Sequence, residues 1–187
     1  TDFVFDGTQI DPYTEDSPRS PQGWYGTTKA LAEEEVEKSG ASYAIARISY
    51  PYRANFDAKP DLIKRITTQL RSSSLPPRFS DSLITPTFID DIATGFAKLI
   101  DTKAQGIFHL TGSSSHSPYE LALKVAEAYN LDKSLVKEGS LTEYLSTSST
   151  PLARFGVMSN AKAVAQLGLN FKTLNEGLIE LKKQQNL

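Results

Sequence analysis

The alternation of short apolar runs with stretches of helical period constrains this chain more than any other feature. Tyr43 to Ile48 is an apolar run of strand length, closed by Arg47-Ile48-Ser49 and bounded by Pro51. Ahead of it, Ser20 followed by Pro21 resembles an N-cap with proline at the first helical position. That predicts a helix from there to about Lys38, stopping at Ser39-Gly40. Earlier still, Phe3-Val4-Phe5 has strand character and ends at Asp6-Gly7, before a polar, proline-punctuated loop from Thr8 to Arg19. Strand, helix, strand in this order argues for α/β architecture with parallel pairing in the first half.

The pattern then recurs. Leu62, Ile63, Ile66 and Leu70 follow Pro60 at helical spacing, and Leu75-Pro76-Pro77 ends them. Ile84 to Ile89 reads as a strand. Asp90-Asp91 begin a helix whose positive end suits both acids, and Ile92, Ala93, Phe96, Leu99 and Ile100 form its core face. Gly106 to Leu110 is another short strand. Ser117-Pro118-Tyr119-Glu120 is a capping box opening a helix to about Asn130, and a second box, Thr173 to Glu176, opens the last helix. Residues 131 to 158 read as short elements and loop, and the later helices are expected to form a smaller lobe.

Charge and cysteine content narrow the partners. Twenty basic residues against twenty-two acidic ones give a net charge of -2 with no long block of either sign. This argues against nucleic acid or an anionic membrane surface and for a small-molecule partner. Without cysteine there is no disulfide, thiolate nucleophile or Cys-ligated metal, and a cytoplasmic location is the easier reading. No apolar run approaches a membrane span, and residues 1 to 20 lack the order of a signal peptide. His109, in an apolar strand, is expected as a hydrogen-bonded core residue and His116, in a Ser-rich loop, as solvent-exposed, so neither points to a metal. Glu33, Glu34 and Glu35 read as a solvated helix face, and Asp90-Asp91 as serving their helix terminus rather than a cation.

The feature that carries chemistry is Tyr25-Gly26-Thr27-Thr28-Lys29. A tyrosine and a lysine four apart on a helix share a face, with Cβ atoms about 5–6 Å apart. An isolated phenol, with a pKa near ~10, is a poor acid-base group at neutral pH, but a neighbouring ammonium favours its charged form, so such a pair can shuttle a proton. Thr1 places a hydroxyl just ahead of this helix. A competing reading makes Thr1 an N-terminal nucleophile with its own amine as base, which nothing else nearby supports.

Together these segments resemble the extended short-chain dehydrogenase/reductases, and Thr1-Asp2-Phe3-Val4-Phe5-Asp6-Gly7 resembles their dTDP-4-dehydrorhamnose reductase branch. Thr1, Tyr25 and Lys29 fall in order on the family's Ser/Thr, Tyr and Lys. Arg47-Ile48-Ser49-Tyr50 is similar to an Arg-x-Ser-Trp segment, with Tyr50 at the position of a substrate-contacting Trp. Asp81, Thr85 to Asp91, Gly106 to Gly112 and Leu167-Gly168 with the final helix extend the likeness over nearly the whole chain.

The resemblance implies an incomplete Rossmann-type parallel sheet with a smaller α/β substrate-binding lobe. Residues 1–50 and about 84–112 would be mainly the Rossmann side, and 51–83 and 113–187 mainly the lobe. It implies NADPH or NADH as hydride donor to a nucleotide-linked 4-keto sugar. Tyr25 would give the proton, Thr1 would hold the substrate oxygen, Lys29 would bind the nicotinamide ribose, and Tyr50 would pack on the sugar, with no metal. Members of this family begin with a strand and a Gly-rich turn whose helix N-terminus receives the pyrophosphate. The eleven glycines here are scattered and form no such turn. The expectation is therefore a C-terminal part of a longer enzyme, with an exposed sheet edge that seeks a missing N-terminal fragment or a second copy. A non-catalytic homologue, like the regulatory subunit of methionine adenosyltransferase, and a sugar-nucleotide epimerase are the alternatives. Dehydration is disfavoured because Asp2 is followed by Phe3 rather than by a second acid.

Overall fold

The computed structural model describes residues 1–56 and 58–186. Its start departs from the strand expected at Phe3-Val4-Phe5, because Asp2–Val4 form a 3-10 turn. The Val4 N–H donates to the Thr1 carbonyl and the Phe5 N–H to the Asp2 carbonyl, so the backbone is satisfied locally and needs no neighbouring strand. Ser20 is not the helix cap either. Its N–H donates to the Val4 carbonyl at 2.9 Å, pinning the loop to the first turn, and the helix begins at Gly23 behind Gln22.

From there the elements are α1 (Gly23–Lys38), β1 (Ala44–Arg47), β2 (Pro51–Tyr52), α2 (Leu62–Arg71), β3 (Arg78–Phe79), β4 (Leu83–Ile84), β5 (Thr87–Phe88) and α3 (Ile89–Thr102). They continue with β6 (Gly106–His109), α4 (Pro118–Ala128), β7 (Glu138–Gly139), α5 (Leu141–Thr147), β8 (Phe155–Gly156), α6 (Ala161–Leu167) and α7 (Leu174–Gln184). Every strand pair among the described residues is parallel: β1 with β6, β2 with β5, β3 with β7 and β4 with β8. The fold is mixed α/β with parallel strand pairing, in line with the Rossmann-type arrangement expected from the sequence.

The run Ile84 to Ile89 is not one strand. At Thr85-Pro86 the chain leaves its β8 partner and takes β2 as the next one, a switch that proline, lacking an N–H, permits. Thr87, fully buried, ties the crossing together. Its hydroxyl donates to the Ser49 carbonyl at 2.8 Å and accepts the Gly112 N–H at 3.1 Å.

Both expected capping boxes form, at Ser117/Glu120 for α4 and at Thr173/Glu176 for α7. The apolar faces these helices present, with α2, build the larger core around Ile63, Ile66, Leu121, Val125, Leu174 and Leu181. A second core lies between α3, α6 and β6, around Leu99, Phe108, Leu110 and Phe171. No helix among the described residues is long and apolar enough to cross a membrane.

Three side-chain expectations, for Phe96, His116 and Glu33, need correction. The buried face of α3 is Asp91, Ile92, Gly95 and Leu99, which leaves Phe96 46% exposed rather than in the core. The reason is Gly95, which lets the Leu110 side chain approach so closely that the helix turns Phe96 and Ile100 outward. The acids of α3 lie in its first turn, as expected, and also bond to the end of the chain. Asp91 accepts the Lys172 N–H and ammonium, each at 2.7 Å, and Asp90 accepts from Gln184. His116 is half-buried, with Nε2 at 3.0 Å from the Ser114 hydroxyl and its backbone bridged to Ile84. Glu33 is buried rather than solvated, because a buried arginine lies opposite it.

Candidate active site

The turn at Thr1 and the start of α1 meet through Phe3. The Thr1 hydroxyl accepts the Phe3 N–H at 3.4 Å and donates to Asp2 Oδ1 at 3.1 Å. The Phe3 ring stands edge-on to the Tyr25 ring, 5.4 Å between centroids. A Cβ at position 26 would run into the Phe3 carbonyl oxygen, so glycine after Tyr25 is what lets helix and turn lie so close. The Lys29 ammonium sits 5.6 Å from the centroid of the Tyr25 ring, within cation–π range. Tyr25 is 53% exposed, and among the described residues neither its hydroxyl nor the Lys29 ammonium makes a hydrogen bond. Both polar ends are available to a ligand.

Asp2 joins the turn to the segment after β1. It is buried, and Ser49 donates to its Oδ2 at 3.1 Å. Burial pushes the Asp2 carboxyl above its ordinary range, against the Ser49 and Thr1 hydrogen bonds that favour the charged form. Tyr50 follows Ser49 in a left-handed conformation, with φ 41°, which a bulky side chain rarely adopts. Burial pushes its phenol up to about 12, and the Asp2 carboxylate adds to the effect.

A cavity of about 800 Å³ opens beside this assembly. Asp2, Phe3 and Gln22 form one end, Tyr50 and Arg78 part of the wall, and Tyr144 the side contributed by α5. Thr1, Tyr25 and Lys29 are not part of this lining; Phe3, which is, contacts the Tyr25 ring. Arg78 carries a buried Nε without a hydrogen-bond partner, and burial, then the nearby Arg65, hold its guanidinium below its ordinary pKa. A buried cation short of acceptors is a site for an anionic ligand group.

Beneath α1 lies a charged cluster. Arg47, fully buried at the end of β1, places Nη2 2.6 Å from Glu33 Oε2 and Nε 3.0 Å from Oε1. Arg19 reaches the same carboxylate at 3.2 Å. These pairings hold Glu33 below the usual carboxylate range although burial opposes them. Arg47 Nη1 lies 3.3 Å from His109 Nε2, and His109 Nδ1 lies 3.1 Å from the Ser159 carbonyl. Because guanidinium only donates, Nε2 accepts and Nδ1 carries the proton. Burial, then Arg47, drop the His109 pKa to about 3.

Thr1, Tyr25, Lys29 and Tyr50 were visible as a motif. Asp2, Arg78, Glu33 and Arg47 were missed as parts of the site. The only local signals were a carboxylate beside Thr1 and an arginine lodged between Pro76-Pro77 and Phe79.

A family model described as the RmlD substrate binding domain matches residues 1–186. The probable low-salt glycan biosynthesis reductase Agl14 of Haloferax volcanii is 27% identical over 97% of this chain and 60% of its own length. The methionine adenosyltransferase 2 subunit beta of Xenopus laevis is 32% identical over 72% of this chain and 42% of its own. The crystal structure of a dTDP-4-dehydrorhamnose reductase from Clostridium acetobutylicum matches all of this chain and 64% of that one, with a TM-score of 0.88 and 25% identity. The chain thus spans less than two thirds of the length of each of these proteins.

Proposed function

The chain belongs to the family of the RmlD substrate binding domain, and we propose that it supplies the proton-transfer residues and the sugar site of a reductase acting on a nucleotide-linked 4-keto sugar. One observation carries this reading. One cavity of about 800 Å³ is lined both by Asp2 and Phe3, which adjoin Thr1 and Tyr25, and by Arg78 with its underpartnered guanidinium. In this reading the keto carbonyl lies toward Phe3 and the diphosphate toward Arg78.

In this mechanism the Tyr25 hydroxyl donates its proton to the keto oxygen while the Thr1 hydroxyl, turning its O–H from Asp2, holds that oxygen in place. Tyr50 packs on the sugar ring, and Arg78 pairs with the diphosphate. Lys29 and Tyr25, with no protein partner for their polar ends, suit a nicotinamide ribose, and NADPH or NADH when bound supplies the hydride. Residues 1–50 and about 84–112 are assigned to the cofactor side and the remainder mainly to the sugar side.

The test is cofactor oxidation by the whole protein with a dTDP-linked 4-keto sugar. Tyr25→Phe is expected to lower turnover by about 100- to 10,000-fold, the range for loss of a general acid, with an unchanged melting temperature. Normal turnover in that variant sinks the reading.

The likeness to a methionine adenosyltransferase subunit favours one other reading, a partner-binding protein without turnover. It predicts tight association with a larger catalytic protein and no cofactor oxidation.

A further inference from the structure

We infer that Arg47 and Glu33 are positioning residues for this proton transfer: their buried pair sets the roll of α1, and with it Tyr25 and Lys29, against the turn that carries Thr1. The inference rests on the reductase reading above.

Two charged pairs bear on the roll of the helix: Arg19 forks onto Glu37 at its part-buried edge, and Arg47 onto Glu33 beneath it, the more enclosed of the two. The buried positions of the helix are Gly26, Ala30 and Glu33, one stripe in which Ala30 packs with Val4, Phe5, Tyr13 and Met158 but, like Gly26, is too small to set a direction. Gly26 sets how near the helix comes to Phe3 but not how it is rotated. Glu33, by contrast, has both oxygens engaged. Arg47 Nε bonds to Oε1 at 3.0 Å and to Oε2 at 3.2 Å, and Arg47 Nη2 and Arg19 Nη1 bond to Oε2. A planar fork on a carboxylate fixes direction as well as distance. Lys29 lies one turn before Glu33 and Tyr25 two turns before it, so a roll at Glu33 is transmitted to both.

Arg47 is itself held from the other sides. His109 Nε2 accepts from it, and the Phe5 ring lies 5.0 Å from its guanidinium carbon. Phe5 belongs to the first turn, where its N–H bonds the Asp2 carbonyl at 3.1 Å. One guanidinium therefore touches the helix that carries Tyr25, the turn that carries Thr1, and strand β6.

Stability alone does not explain the pair. A buried ion pair roughly offsets its own desolvation, and apolar residues of similar size often hold a fold as well or better. What apolar residues lack is orientation. A side-chain tip roughly 6 Å from a helix axis moves about 1 Å for a roll of about 10°, and an error of about 1 Å can cost about 100-fold in rate.

The test compares Glu33→Gln, Arg47→Lys and the double variant Glu33→Met/Arg47→Met in the whole protein. Each single variant is expected to lose at least about 10-fold in kcat with KM for the sugar nucleotide within about threefold. In the double variant the melting temperature returns toward the parent value while kcat does not. Recovery of kcat together with stability, or kcat within about twofold of the parent in Glu33→Gln, overturns the inference. If the parent turns over no sugar, the reductase reading fails by itself, and the contact between the Phe3 and Tyr25 rings decides the matter. Loss of their ring-proton NOE in the double variant at matched melting temperature supports the inference, and its retention overturns it.

Discussion

Helices α2, α4 and α7 and helix α1 are held to the molecule by different physics. The three helices interlock through Ile63, Ile66, Leu121, Val125, Leu174 and Leu181, all nearly inaccessible to solvent. Each such side chain contributes about 1.5–3 kcal/mol by leaving water, and the loss of one contact is shared among many. Helix α1 buries a glycine, an alanine and a charged glutamate, and leaves Trp24, Leu31 and Val36 exposed. The first arrangement secures a fold without aiming any particular group. The second aims one helix face while adding little cohesion.

The comparison can be broken most directly in the apolar core. Leu121→Ala should cost about 2–5 kcal/mol of stability, read by chemical denaturation, while kcat of the whole protein stays within twofold. A large fall in kcat would mean that the two regions are not separable. Gly26→Ala is the matching change on α1. Alanine in a helix normally gains about 1 kcal/mol over glycine, but here the added methyl meets the Phe3 carbonyl. The expected outcome is a net loss of about 1–3 kcal/mol, the usual cost of overpacking, with a fall in kcat larger than that loss accounts for. A stabilised, fully active variant would show the close approach to be unnecessary.

The smallest effect is a pH slope. His109 is held neutral in the fold with a pKa of about 3, whereas an unfolded histidine titrates near ~6.5. Between these values the unfolded chain binds the extra proton. The stability from His109 is therefore complete above about pH 6.5 and declines as pH falls toward 3. His109→Gln should flatten this part of the melting-temperature profile. An unaltered slope would place the acid sensitivity elsewhere.

What the sequence disclosed follows the range of the interactions involved. The boxes at Ser117 and Thr173 are closed by residues three positions apart, and both were legible. The strand reading of Phe3-Val4-Phe5 failed because bonds among Thr1, Asp2, Val4 and Phe5, with Gly26 packed on the Phe3 carbonyl, select a turn that apolar composition does not encode. Ile84 to Ile89 has the composition of one strand, but its two halves pair with partners far apart in the chain. The proposed proton-transfer pair was nameable from sequence because Tyr25 and Lys29 lie on one helix. Glu33 looked like its neighbours Glu34 and Glu35, and only Arg19 and Arg47, each fourteen residues away, make it different. The tie between Asp2 and Ser49 and the orphaned Nε of Arg78 likewise arise only in three dimensions.

Tyr50 carries a longer-term consequence. Its left-handed backbone costs about 1–3 kcal/mol, a geometry that glycine or asparagine would adopt more easily. The chain keeps an aromatic ring there, on the cavity wall, against the preference of its own backbone. In a lineage that ceased to use the cavity, only the packing of Tyr50 against the larger core would still oppose drift toward those smaller residues. Position 50 would then act as a clock of disuse, among the first places where a descendant records that its ligand has been lost.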